Sequence, residues 1–235
     1  MISLLKKLIL KPPLRYKLIF PGIFKAHPDE EMLRRAMEFV AHNNISGDYL
    51  EFGVWKGRSL IRAFNIWKRL FNKNGQLKDT RFYVFDSFEG LPEIKTTEDL
   101  STGEFARGQY LCTEENFKAN IKAGGVDLER VGIVKGWYDQ VLNNETKNKL
   151  PIKSAAVVFI DCDLYESTVP VLNFITDYIV DGTILIFDDW FCFKGSAGKG
   201  EQKAFYEWLA KNPNIKAVEY HKFNWRGNSF IINRK

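Results

Sequence analysis

The sequence predicts an α/β fold: a doubly wound, Rossmann-like domain whose mainly parallel seven-stranded sheet carries an antiparallel strand near its C-terminus. Three observations predict it. Strand-type and helix-type hydrophobic patterns alternate from residue 48 to residue 211, the mark of a parallel sheet covered on both faces. Two apolar runs of strand type, Val157-Val-Phe-Ile and Thr183-Ile-Leu-Ile-Phe, each end in a pair of acids. The final strand patterns, 216–222 and 229–233, have no helix between them and so pair antiparallel.

Pro28-Asp-Glu-Glu opens a helix with acids in its first turn, and Met32, Leu33, Ala36, Phe39 and Val40 give it an apolar face to about Asn43. Asp48 to Phe52 reads as a short strand and Ser59 to Phe71 as a helix. A strand over Arg81–Asp86 and a helix over Glu114–Ala123 follow. Val131–Lys135 is a strand, with a helix near Tyr138–Asn144. Ala155–Ile160 is a strand, Val169–Ile179 a helix, Thr183–Phe187 a strand and Gly200–Lys211 a helix. Between Ser87 and Thr113 no periodicity is visible, and loops of that length inside a domain are usually lids or binding loops. Lys194-Gly-Ser-Ala-Gly-Lys-Gly200 lacks the phosphate-loop spacing and reads as a connection.

At 235 residues and 45% hydrophobic, the chain can bury a full core as one domain. It has no apolar run of membrane-spanning length, and Met1–Leu8 lacks the order of a secretory signal, so a cytoplasmic protein is expected. Cys112, Cys162 and Cys192 lack metal-site spacing and read as reduced thiols in or near the core. The net charge of +5 is concentrated in residues 1–28, which carry Lys6, Lys7, Lys11, Arg15, Lys17 and Lys25 and no acid. Elsewhere charges nearly cancel, which argues against a nucleic-acid groove. Ile2, Leu4, Leu5, Leu8 and Ile9 share one helical face, so residues 1–20 are a candidate for peripheral contact with an anionic membrane, or for packing on the domain or a sister subunit in a homo-oligomer. Two regions are therefore expected: a basic segment and helix over 1–44 serving as lid or interface, and a catalytic domain over 45–235 with 87–113 as substrate lid.

Asp161, Asp163, Asp188 and Asp189 stand where two strands emerge. Carboxylates in such places usually meet something positive, and a set of acids suits a hard divalent cation. Capping of the next turns is the plain alternative. At the first strand, Leu50-Glu-Phe-Gly-Val-Trp-Lys-Gly-Arg-Ser59 makes a two-glycine turn, Gly53 for tightness and Gly57 opening the helix toward a ligand. Asp86 ends the second strand, where doubly wound folds hold ribose hydroxyls. The glycine spacing differs from the dinucleotide pattern, so the site suits a nucleoside with a short charged tail, such as S-adenosylmethionine. Glu51 would meet its ammonium group and Ser59 its carboxylate, with Trp137 or Tyr138 flanking the adenine. Trp55, Ser87 and Asp161 belong to the same expected cofactor set.

The succession LEFGVWKGRS, YVFDSFEGLPE, VKGWYDQVL, FIDCDLYEST, GTILIFDDW and a late WRG resembles the macrocin O-methyltransferase family over about residues 45–233. The resemblance implies a class I methyltransferase fold, S-adenosylmethionine and Mg²⁺ as cofactors, and a sugar hydroxyl on a glycoside as acceptor. It also implies a metal held by Asp161, Asp188 and Asp189, with Asp163 as candidate base. For Asp163 the alternatives are a fourth ligand or a helix cap, and His221 is a second candidate base. Trp190, Phe191, Phe193 and Trp225 would build the acceptor platform, for a sugar or for a catechol. Rival readings take Asp161-Cys-Asp163 as the metal motif of a glycosyltransferase or phosphatase, or the chain as a non-catalytic partner subunit.

Overall fold

The computed structural model describes residues 28–71, 78–97, 99 and 105–235. The basic segment 1–20 lies outside them. The elements are α1 (Pro28–His42), β1 (Asp48–Phe52), α2 (Arg58–Phe71), β2 (Phe82–Asp86), α3 (Glu114–Ala123), β3 (Val131–Lys135), α4 (Tyr138–Val141), α5 (Asn144–Lys149), β4 (Ala155–Ile160), α6 (Tyr165–Ile175), β5 (Ile179–Phe187), α7 (Gly200–Lys211), β6 (Ile215–Glu219) and β7 (Asn228–Arg234).

The seven strands form one sheet in the order β3-β2-β1-β4-β5-β7-β6, with β7 antiparallel to both neighbours and the other pairings parallel. Strand residues alternate between the two faces, as the period of two requires. Tyr49, Phe82, Val84, Val157, Phe159, Ile184 and Ile186 pack under α1, α2 and α3. Leu50, Phe52, Tyr83, Phe85, Val158, Ile160, Leu185 and Phe187 pack under α6 and α7. Helix α1 buries Met32, Leu33, Ala36, Met37 and Val40 in the first of these clusters, so it belongs to the core of the domain. No described helix is long and apolar enough to cross a membrane. The three cysteines are buried and form no disulfide.

Three boundaries differ from expectation, each for a local reason. The helix expected over 169–179 runs Tyr165–Ile175 and is followed by a 3₁₀ turn at 176–178. It starts earlier because buried Asp99 accepts the Tyr165 and Glu166 N–H groups at 2.8 and 3.3 Å, a cap supplied from a distant loop. Strand β5 starts at Ile179 rather than Thr183. There the Thr183 hydroxyl donates to Ala155 O at 2.7 Å and accepts Val180 N–H at 2.9 Å, joining strand residues across a register break. The helix expected near 138–144 is two short ones, because Asn143 caps a new start by accepting Thr146 N–H at 3.0 Å.

Candidate active site

Strand order reverses between β1 and β4, and in doubly wound sheets the crevice at that carboxyl edge takes the ligand. Hydrogen bonds continue past the strand ends and set the edge residues in a row. Gly136 N–H donates to Asp86 O at 3.0 Å and Gly53 N–H to Phe85 O at 3.0 Å. Asp161 N–H donates to Phe52 O at 2.9 Å and Asp188 N–H to Ile160 O at 3.0 Å. A cavity of about 740 Å³ lies over this row, lined by Gly53, Asp86, Gly136, Asp161 and Asp188 among others.

One end has the features of a nucleoside site. Gly53 lines it at φ +86°, and a Cβ there would lie 1.8 Å from Asp161 O, so only glycine allows β1 and β4 to run on this closely. Asp86 accepts Val54 N–H at 2.8 Å through Oδ2 and Phe88 N–H at 2.7 Å through Oδ1. With a third backbone donor from Trp55, these bonds fix the carboxylate and still leave it acceptor capacity. Burial raises the Asp86 pKa, against the lowering effect of those backbone donors. Trp55, Ser59, Ser87, Trp137 and Tyr138 share the cavity wall. Trp55 adopts φ +40° and meets Tyr110 edge-to-face at 5.6 Å, an aromatic contact across the cavity mouth.

Two expected cofactor residues stand elsewhere. Gly57 does not turn its N–H to the cavity, since that group donates to Val54 O at 2.6 Å. A Cβ at Gly57 would lie 2.4 Å from Ile121 Cγ2, so packing of α2 on α3 requires this glycine. Glu51 is fully buried behind Ser59, which donates to its Oε1, while Tyr49 O–H donates to Oε2 at 2.7 Å. Burial raises the Glu51 pKa to about 7.

The other end is acidic. Asp161, Asp163 and Asp188 line it, and Asp189 lies fully buried behind them. One oxygen each from Asp161, Asp163 and Asp189 lie within 4.8 Å of one another. An oxygen-ligated cation with bonds of about 2.0–2.6 Å spans that separation. Asp188 Oδ1, Asp189 Oδ2 and Glu201 Oε1 are buried, and no described donor reaches them. Unpartnered buried carboxylate oxygens beside a convergent acid set fit a hard divalent cation. Burial first, then the mutual repulsion of the acids, holds Asp161, Asp163 and Glu201 well above the ordinary carboxylic range. The same causes bring Asp188 to about 7, with Arg226 opposing them.

Asp163 adopts φ +62°, a left-handed conformation that costs an aspartate roughly 1–2 kcal/mol and turns its carboxylate toward Asp189. It does not cap α6, because Asp99 does. His221 is absent from the cavity wall, and its backbone N–H and C=O both bond the Ser229 hydroxyl. The expected acceptor platform is corrected as well. Trp190 and Phe193 are buried in apolar clusters, Trp225 points to solvent, and none of them lines the cavity. The aromatic side chains that do line it include Trp55, Tyr110, Trp137, Tyr138 and Tyr165.

The residue that sequence reasoning missed is Arg226. Its Nη1 donates to Asp189 Oδ1 at 2.6 Å and its Nη2 to Asp188 Oδ2, one guanidinium spanning both acids. The only signal was its place in the late WRG motif, since 38 residues separate it from Asp188.

A parallel sheet reversing at β1/β4, with an antiparallel β7 and an acid-ended crevice, defines a class I Rossmann-like fold. CalS11, a calicheamicin methyltransferase, shares this fold with a TM-score of 0.71 at 20% identity, over 97% of this chain and 88% of its own. The family model of macrocin-O-methyltransferase matches residues 29–226, and the chain belongs to that family. Demethyldecarbamoylnovobiocin O-methyltransferase of Streptomyces niveus is 30% identical over 68% of this chain and 59% of its own length. A rhamnosyl-tetracenomycin-C 4'-O-methyltransferase of Streptomyces olivaceus is 29% identical over 67% and 58%. The chain thus spans about three fifths of the length of these curated relatives.

Proposed function

We propose that this chain transfers a methyl group from S-adenosylmethionine to a hydroxyl of a sugar or glycoside, assisted by a divalent cation such as Mg²⁺. The observation that carries the reading is a continuous cavity with Gly53, Asp86 and Trp137 at one end and the aspartates of β4 and β5 at the other. When bound, S-adenosylmethionine supplies an activated methyl on a sulfonium, and a divalent cation lowers the pKa of an acceptor hydroxyl and orients it.

Asp86 accepts from the ribose hydroxyls, and Trp137 and Tyr138 flank the adenine. The backbone N–H groups of the first turn of α2, Ser59 among them, receive the cofactor's carboxylate. Glu51 holds the Ser59 hydroxyl from behind the cavity wall. Asp161, Asp188 and Asp189 hold the cation. Asp163, whose carboxylate turns toward Asp189 beside the cation set, takes the acceptor's proton. Trp55 and Tyr110 cover the acceptor and exclude water, beside Leu91 and Phe105, which share a cluster with Leu164 and Phe193.

The rhamnosyl group in a relative's name supports a sugar acceptor. Basic residues 1–20 support peripheral contact with an anionic membrane, hence a membrane-associated acceptor; a homo-oligomer and a cytoplasmic location complete the reading. Calorimetric titration with S-adenosylmethionine and with UDP-sugars, each with and without Mg²⁺, tests it. Binding of S-adenosylmethionine is expected, and tight UDP-sugar binding with no response to S-adenosylmethionine would sink it.

A further inference from the structure

We propose that Arg226 is a built-in counter-cation of the acid cluster, a positioning residue that fixes Asp188 and Asp189 and opposes divalent-cation binding. The proposal rests on the metal reading above and concerns how tightly this site takes its ion.

Asp188 and Asp189 are 3% and 0% exposed, so neither charge has water to stabilise it. The nearby acids Asp161, Asp163 and Glu201 add to their repulsion. Among the described residues, Arg226 is the cation that bonds them, and it does so as a fork with one arm on each carboxylate. A guanidinium suits this place because it stays protonated and its donors are planar and fixed.

The backbone holds the fork in position. Arg226 N–H donates to Asn224 Oδ1 at 2.6 Å, and Arg226 O accepts Phe191 N–H at 2.8 Å. Asn224 in turn donates to Asp29 on α1 at 3.2 Å. The turn between β6 and β7 is therefore anchored on two sides, and the side chain, 30% exposed, is the part free to move.

The fork takes Asp188 Oδ2 and Asp189 Oδ1 and leaves Asp188 Oδ1 and Asp189 Oδ2 without donors. An incoming cation thus meets two half-engaged carboxylates and a positive charge a few ångströms away. Whether the guanidinium swings out or stays, that charge weakens cation binding. In return it holds the acids together at low divalent concentration, where their repulsion would spread them. The affinity of the site is set by this competition.

The test compares the wild type with Arg226→Met and Arg226→Lys, using Mn²⁺ alone as the probe. Calorimetry gives its affinity, and thermal unfolding is followed with and without it. Arg226→Met should bind Mn²⁺ roughly tenfold tighter or more, from the removed repulsion. It should unfold at a lower temperature without Mn²⁺ and recover most of that loss when Mn²⁺ is added. Arg226→Lys keeps the charge and loses the fork, so its Mn²⁺ affinity should stay near wild type while its unfolding temperature falls part of the way. Equal or weaker Mn²⁺ binding by a folded Arg226→Met protein overturns the proposal alone. If neither protein binds Mn²⁺, the metal reading falls and takes the proposal with it. Should Arg226→Met fail to fold even with Mn²⁺, Asp188→Asn is compared with Asp188→Asn/Arg226→Met, which buries one charge fewer. Tighter Mn²⁺ binding by the double variant upholds the proposal, and equal binding overturns it.

Discussion

Replacing Glu51 with glutamine should flatten part of the pH dependence of stability. Glu51 is fully buried, and burial raises its pKa from 4.5 to about 7, outweighing donation from Ser59 and Tyr49. Between those values the unfolded chain has lost this proton and the folded chain keeps it. Stability from this group is therefore full below pH 4.5 and falls as pH rises toward about 7. At about 1.4 kcal/mol per unit, the loss comes to about 3 kcal/mol. Glutamine keeps the size, and one of the two hydroxyls can turn to accept from its amide, so Glu51→Gln should still fold. Urea unfolding of both proteins across this interval is the assay. The variant should gain on the wild type by up to about 3 kcal/mol as pH rises, whatever the other buried acids contribute to both. Parallel curves would refute the assignment and mean that Glu51 is ionised, or that its charge is already compensated, in the folded protein.

Asp86→Ala should weaken S-adenosylmethionine by ~1–3 kcal/mol, measured by calorimetry, and unchanged affinity would move the ribose elsewhere. Asp163→Asn should abolish turnover while Mn²⁺ affinity stays within a few-fold of wild type; a large loss of Mn²⁺ affinity would make Asp163 a ligand rather than a base. Asp189→Asn should fold, since Arg226 keeps its bond to Asp188, and should lose Mg²⁺-dependent activity or need more Mg²⁺. Limited proteolysis within 87–113 should be slowed by S-adenosylmethionine plus acceptor, and equal cleavage with and without them would reject the cover.

The alternation of patterns made the sheet, its direction and the acid-ended strands legible, because those depend on residues close in sequence. Asp86, Asp161, Asp163 and Asp188 lie at the crevice where the strand ends predicted them. What stayed hidden depends on pairs distant in the chain. Asp99 caps α6 from 66 residues away, inside a stretch with no period to read. Arg226 reaches back 38 residues to Asp188 because β7 returns beside β5. Gly57 looked like a ligand-facing glycine, and only the approach of Ile121 shows that it is there for packing. The aromatic side chains after β5 were expected over the substrate. Trp190 instead packs on Phe187, Phe205 and Phe230, a burial that sequence spacing could not distinguish from an exposed platform.

The most direct test of the central claim is transfer of labelled methyl from S-adenosylmethionine to a panel of nucleotide sugars, glycolipid precursors, simple glycosides and catechols, with Mg²⁺ and with EDTA. The account predicts label on a sugar hydroxyl, lost in EDTA. Label on catechols alone would contradict the sugar acceptor, and full transfer in EDTA would contradict the role given to Asp161, Asp188 and Asp189.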